Sequence, residues 1–410
     1  MEQDGEVIVS KANGQLSDAA RGASRLAFDA VEQVTNIVEA MHANIAAASP
    51  PLGKGTHGPT RGITGLVYDS SRLVNEVSRT TLDRALDLLT RHVEWPLPQP
   101  QADSLTSAVN GVLGDYLAAT ANPLAIAMRA RCNGQPLALE HEALAAALPG
   151  ASSKILLVVH GLCMNDRQWH RKNHDHGAAL ARDLGYTPVY LHYNSGRHVS
   201  ENGREFAALL EQLVDAWPVA VTELSVLAHS IGGLVTRSAC HYGAEAEHRW
   251  LASLRRVVFL GTPHHGAPLE RGGNSLQTIL GISPYTAPLA RLGWLRSAGI
   301  TDLRYGNLLD EDWQDRNRFA PTGDPRQPVP LAQGVECYAL AATIGQSRDD
   351  LNDRLLGDGL VPVASALGRH GDATKALPIP ESHQWISYGT SHWDLLSDLG
   401  VYARLRDWHT

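Results

Sequence analysis

The chain has 410 residues, 43% of them hydrophobic and 19% charged, with a formal net charge of -8. This is ordinary for a soluble globular protein, and the length exceeds one average domain. The acidic balance, without a basic stripe, argues against a nucleic-acid partner. Cys132, Cys163, Cys240 and Cys337 are scattered with no Cys-x-x-Cys pair, so neither a zinc knuckle nor a disulfide framework is indicated.

The start Met-Glu-Gln-Asp-Gly-Glu is acidic and does not read as a secretory signal, and no apolar run reaches the ~18 residues of a membrane span. A cytoplasmic protein is expected. From 1 to 124 the texture is Ala-rich and helical. Val31, Val34, Val38, Met41 and Ile45 recur at helical spacing, and a second helical stretch runs from about 63 to 93 with Leu66, Leu73, Val77, Leu82, Leu86 and Leu89 on one side. A third covers roughly 104 to 121. The region carries no chemical constellation and reads as a helical appendage that packs on the main domain or on a second copy of the chain, with peripheral membrane contact as the alternative.

From 125 to 410 the pattern changes. Asn133-Gly134 between short extended runs predicts a β-hairpin, since this pair supplies the positive φ angles of a two-residue turn. Strands are then expected at 154–160, 187–193, 224–228, 256–260 and 335–341, with helices at 174–184, 201–216 and 232–242 between them. Such alternation predicts an α/β fold, a mostly parallel sheet covered by helices on both faces. A less regular, Gly/Pro-rich stretch from Thr262 to Arg354 interrupts it before the strand at 335–341, with a cap or lid insertion at about 267–330. Within that insertion, 275 to 294 is apolar and broken by Pro284 and Pro288, so it reads as a cap or lid, or as a fixed wall of an apolar acyl pocket.

The stretch Leu-Ser-Val-Leu-Ala-His-Ser-Ile-Gly-Gly-Leu at 224–234 reads as a strand, a sharp turn and a helix, with Ser230 at the tip and the small residues Ala228 and Gly232 two positions away. A serine hydroxyl needs an imidazole to take its proton, a carboxylate to orient that imidazole and backbone N–H groups to hold an oxyanion. All three have candidates in the expected order. His160-Gly161-Leu162 follows the first buried strand, Asp358 stands in Gly-Asp-Gly-Leu-Val-Pro after a late strand, and His392 lies near the end.

Together with Gly-Thr-Pro-His-His-Gly at 261–266, these motifs resemble the lipase/esterase branch of the α/β-hydrolase superfamily over residues 125–410. Ala228 departs from the commoner glycine of that pattern. The resemblance implies Ser230 as nucleophile, Asp358 as orienting acid, His392 as general base, and the backbone N–H groups of Leu162 and Ile231 as the oxyanion hole. It implies hydrolysis of a small-molecule or lipid carboxylic ester, with no cofactor and no metal. An acyltransferase or thioesterase would use the same triad, and a non-catalytic docking protein on a hydrolase scaffold is the reading from another class.

Other groups compete for these roles. His160, His229, His264 and His265 flank the motifs and read as loop-shaping residues. Asp310, Asp312 and Asp315 read as a solvated acidic face. The His170, His174 and His176 cluster could ligate zinc or form a polar surface loop. Asp394 reads as a capping or supporting carboxylate, with a calcium ligand as the alternative.

Overall fold

A computed structural model describes residues 99–267, 296–316, 324, 326–347 and 357–410. The expected helices at 31–45 and 63–93 and the expected lid at 275–294 lie outside the described residues. Among the described residues no helix is long and apolar enough to cross a membrane.

Eight strands form one sheet in the order β2-β1-β4-β3-β5-β6-β7-β8. β1 (Arg129–Cys132) and β2 (Gln135–Pro136) make the expected hairpin, turned by Asn133 at φ 50° and Gly134 at φ 73°. β1 runs antiparallel to β4 (Thr187–His192). From β4 inward every pairing is parallel: β3 (Lys154–Val159), β5 (Glu223–His229), β6 (Leu254–Leu260), β7 (Glu336–Thr343) and β8 (Gln384–Tyr388). The parallel strands are apolar without alternation because both their faces are covered. In β3, five consecutive residues from Ile155 to Val159 are fully buried.

Helices cover the two faces. On one side α3 (His176–Leu184) and α8 (Leu399–His409) enclose a core of Trp169, Leu180, Leu227, Val258, Leu340 and Trp408 with their neighbours. Each large side chain of this core contributes about 1.5–3 kcal/mol through removal from water. Both helices are capped: Asp175 Oδ1 accepts the N–H of Ala178 at 2.9 Å, and Asp398 Oδ1 that of Val401 at 2.9 Å. α4 (Val199–Asp215) packs closely on α5 (Ile231–Glu245). A Cβ on Gly203 would lie 2.2 Å from Ser238 Oγ, so the two backbones approach as only glycine allows.

The helix expected at 104–121 is α1, Gln99–Ala119. From Asp103 onward it belongs to the same unit as the sheet. α1 docks beside the loops that follow β3 and β4: a Cβ on Gly111 would meet Cys163 Sγ at 2.2 Å, and one on Gly114 would meet Asn194 Oδ1 at 1.8 Å. Asn110 fixes the chain leaving α1 by donating to the Leu124 carbonyl at 2.7 Å and accepting from the Ile126 N–H at 3.0 Å. The remaining α-helices among the described residues are α2 (His141–Ala147), α6 (Ala298–Asp302) and α7 (Val363–Ala366). α6 lies within the insertion expected at 267–330.

Candidate active site

Ser230 is the single residue between the end of β5 and the start of α5, with φ 56° and ψ -130°. A non-glycine residue at this φ is strained, and such strain persists only where the surroundings fix the backbone. Here the Ser230 N–H donates to the Leu260 carbonyl of β6 at 2.9 Å and its own carbonyl accepts from Gly233 at 3.0 Å. The small neighbours are obligatory. A Cβ on Gly232 would lie 2.6 Å from the His160 carbonyl oxygen, and one on Gly233 would lie 2.0 Å from Thr262 Oγ1. Ile231 opens α5, so its N–H is a first-turn donor with no carbonyl one turn back.

The loop after β3 runs against this turn. A Cβ on Gly161 would stand 3.1 Å from Ser230 Cβ and 2.9 Å from His229 Nδ1, so glycine lets the Leu162 backbone come alongside the serine. Two contacts hold the loop. The Cys163 N–H, at a residue with φ 59°, donates to Ser195 Oγ at 3.0 Å, and Tyr193 OH donates to the His160 carbonyl at 2.9 Å. The His160 ring stacks on Tyr193 at 4.3 Å, and burial pushes its pKa down to about 4. It is therefore neutral, donating from Nδ1 to the Gly161 carbonyl at 2.8 Å while Nε2 accepts the Tyr193 N–H at 3.4 Å.

Asp358 sits between Gly357 at φ 54° and Gly359 at φ 96°. This turn aims the carboxylate inward. Its Oδ1 accepts the N–H groups of Leu360 at 2.9 Å and Val361 at 2.8 Å, and its Oδ2 accepts His392 Nδ1–H at 2.6 Å. The His392 N–H also donates to the Asp358 carbonyl at 3.1 Å. With Nδ1 engaged as donor, Nε2 of a neutral His392 carries the lone pair. Ser230 and His392 line one cavity of about 30 Å³, together with Leu162, Met164, Pro263, Leu360 and Trp393. The wall is largely apolar.

His229 also belongs to this cluster, a role its sequence position beside the serine does not reveal. Its Nε2 donates to the His392 carbonyl at 3.1 Å with the two rings 4.5 Å apart. Burial, followed by the neighbouring His392, holds its pKa well below the usual range.

The other candidates lie apart from the cavity's reacting groups. His264 and His265 line a larger cavity of about 240 Å³, which contains neither Ser230 nor His392. Successive residues of one turn line the two cavities, Pro263 the smaller and His264 the larger. Volume alone would select the larger; the pairing of Ser230 with His392 selects the smaller.

Asp312 departs from the expected solvated face. It is buried, and its Oδ2 accepts the Leu308 and Leu309 N–H groups at 2.8 and 3.0 Å, while Asp310 pairs with Arg204 at 2.7 Å. His176 likewise is not part of a surface loop. It is fully buried, with Nδ1 2.8 Å from His174 Nε2 and Nε2 2.9 Å from the Leu395 carbonyl. Asp394 accepts from Lys172 Nζ at 2.8 Å and from Ser391 Oγ at 2.6 Å. Among the described residues no group of three or more His, Cys, Asp or Glu side chains is placed to hold a metal.

A family model described as a domain of unknown function (DUF7379) matches residues 131–302. That match takes in Leu162 and Ser230 and stops before Asp358 and His392. No curated protein matches the sequence. Among solved structures the chain is similar to Bacillus licheniformis lipase BlEst2 in mature form, at 18% identity and TM-score 0.42 over 69% of this chain and 98% of that one. It is similar also to EstA from Clostridium botulinum, at 12% identity and TM-score 0.38 over 63% and 87%. A Pyrobaculum calidifontis esterase gives 13% identity and TM-score 0.39 over 63% and 76%. Likeness of this degree does not bear on substrate. The sheet order and the strained serine turn after its central strand β5 do bear on the fold, and by them the chain has the α/β-hydrolase fold.

Proposed function

We propose that the protein is a serine carboxylic-ester hydrolase. The observation that carries this reading is a strained Ser230 sharing a cavity with a His392 whose Nδ1 is held by a buried carboxylate. Ser230 Oγ attacks the ester carbonyl as His392 Nε2 takes its proton, and the tetrahedral oxyanion is held by the N–H groups of Leu162 and Ile231. The C–O bond to the alcohol then breaks and His392 protonates the departing oxygen. Water, deprotonated by His392, opens the acyl-enzyme and returns the carboxylic acid and free Ser230. The apolar wall formed by Leu162, Met164, Pro263 and Leu360 favours an apolar acyl group over a charged phosphoester. A cytoplasmic setting goes with this reading and is supported by the free thiols of Cys132, Cys163, Cys240 and Cys337.

The test is turnover of p-nitrophenyl esters from acetyl to palmitoyl. Activity is expected in the native protein and near-complete loss in Ser230→Ala with the fold retained, and a fluorophosphonate probe should label Ser230. Equal turnover by the variant, or labelling of a different serine, overturns the assignment.

A further inference from the structure

Three successive residues after β4 join the loop that follows β3 to α1. Tyr193 OH donates to the His160 carbonyl at 2.9 Å, and Ser195 Oγ accepts the Cys163 N–H at 3.0 Å. These two anchors bracket Leu162, whose N–H is one of the two donors proposed for the oxyanion. Between them Asn194 reaches α1: its Nδ2 donates to the Gly114 carbonyl at 2.9 Å while its Oδ1 accepts the Gly196 N–H at 3.1 Å. Tyr193, Asn194 and Ser195 are all buried, so these bonds are shielded from water and the cost of leaving one unmade is high.

α1 lies against the backbone of the same loop. A Cβ on Gly111 would meet Cys163 at Sγ (2.2 Å), at Cα (2.8 Å) and at N (2.9 Å), and one on Gly196 would stand 2.0 Å from the Asn110 carbonyl oxygen of α1. Cys163 itself has φ 59°, a conformation that a non-glycine residue keeps only where its surroundings fix it. Ser195 Oγ and α1 are those surroundings. The same helix also carries the start of α6, since Ser297 Oγ donates to the Gly111 carbonyl at 2.7 Å and Asp115 Oδ2 accepts the Ala298 N–H at 3.0 Å. Among the described residues that line the Ser230 cavity there is none from α1, and neither Asn194 nor Ser195.

We infer, resting on the hydrolase reading above, that Ser195 is a positioning residue for the oxyanion hole and that Asn194 and α1 hold it in place. Ser195 acts through the peptide it anchors. By fixing the Cys163 N–H it fixes the adjoining Leu162, whose own N–H must already face the substrate oxygen when negative charge develops there. A donor left free to swing binds a neutral ester carbonyl almost as well but holds the tetrahedral oxyanion poorly. Loosening this support therefore lowers kcat and spares KM.

The test is steady-state kinetics of the full-length protein on a p-nitrophenyl ester, with active sites counted by fluorophosphonate labelling of Ser230, together with inhibition by an alkyl trifluoromethyl ketone. In the ketone adduct Ser230 Oγ bonds to the carbonyl carbon, the serine proton passes to His392, and the carbonyl oxygen becomes an oxyanion in the hole. Ser195→Ala is expected to lower kcat about tenfold or more, within the ~10²–10³ that loss of a whole oxyanion donor costs, and to leave KM within about twofold. It should weaken the ketone by a factor similar to the fall in kcat, because the adduct resembles the transition state. Ser195→Thr keeps the hydroxyl and should recover most of the loss. Asn194→Asp sets an oxygen against the Gly114 carbonyl yet keeps the acceptor for Gly196, so it should give a smaller loss of the same kind. Gly111→Ala pushes on the Cys163 backbone and should at least match Ser195→Ala. Variants that melt earlier but keep the native kcat and ketone affinity per labelled site assign these residues to folding alone and overturn the inference, as does a fall in kcat without a matching loss of ketone affinity. A native protein with neither turnover nor labelling at Ser230 overturns the hydrolase reading itself, and this role with it.

Discussion

Asp358 Oδ2 stands 2.6 Å from His392 Nδ1, and both side chains are closed off from solvent. The carboxylate is held independently of the imidazole by the N–H groups of Leu360 and Val361 on its other oxygen. It therefore orients the ring and selects the Nδ1–H tautomer, and in the proposed reaction it would oppose the positive charge that forms when Nε2 takes a proton.

Asp358→Asn separates these roles from folding. The amide oxygen still accepts from Leu360 and Val361, so the turn survives, but the amide N–H₂ now faces Nδ1 and stabilises the wrong tautomer. The expected result is a fall in kcat of about 10³–10⁴ with KM little changed. Steady-state kinetics on a p-nitrophenyl ester, with circular dichroism to verify the fold, checks this; retention of more than a tenth of the native kcat would remove Asp358 from the triad.

The close approach of the loop after β3 to the serine turn yields a second expectation. In Gly161→Ala the new Cβ would crowd Ser230 Cβ at 3.1 Å and His229 Nδ1 at 2.9 Å. The loop must then retreat by a few tenths of an ångström and carry the Leu162 N–H with it. A displaced oxyanion donor costs ~10²-fold in kcat. Gly232→Ala is harsher, because its Cβ would meet the His160 carbonyl at 2.6 Å, and backbone yields less easily than a side chain; it should lower the thermal midpoint as well, by an overpacking cost of about 1–3 kcal/mol. Thermal melts and kinetics on the two variants distinguish displacement from strain.

The sequence makes the strand and serine-turn half of this geometry legible because both of its signals are local. Parallel strands buried on two faces appear as runs such as Ile155–Val159, and the sharp serine turn demands small residues at fixed offsets. Element ends shift by a residue or two where a cap decides them: α3 starts at His176, one residue after its cap Asp175, and not at His174. Other features have no local signal. Asp312 and His176 sit in polar stretches that resemble exposed loops, yet both are buried: Asp312 is held by the N–H groups of Leu308 and Leu309 just before it, and His176 by the Leu395 carbonyl from far along the chain. The docking of α1 depends on Gly111 and Gly114, which within a helical pattern read only as weak positions. The second cavity draws on α5, the turn after β6, residues 326–330 and residues 374–378, so no sequence spacing announces it.

His229 is expected to act as a positioning residue. Its Nε2–H holds the carbonyl of His392, and burial keeps it neutral. His229→Leu removes that donor and should lower kcat about tenfold while leaving KM near its native value. His229→Gln keeps an amide N–H within reach and should recover part of the loss. The acidic limb of kcat/KM against pH should stay in place in both variants, because His229 is not the proposed base. Disappearance of that limb in His229→Leu would make His229 the base instead.

Buried neutral imidazoles also set the acid stability of the fold. Burial pushes His160, His176 and His409 each from 6.5 down to about 4. Below pH 6.5 these groups take up protons in the unfolded chain and not in the folded one, so the unfolded state binds more protons and stability falls as pH falls. Their contribution is fully present above about pH 6.5 and is lost between there and pH 4, at roughly 3 kcal/mol for each histidine. The thermal midpoint should hold near neutrality and drop steeply from pH 6.5 to 4.5. His409→Phe keeps an aromatic ring against Tyr186, whose ring lies 5.6 Å from that of His409, and removes one titrating group. Its midpoint should therefore fall less steeply over the same interval. A pH slope identical to that of the native protein would show that His409 is not neutral in the folded state.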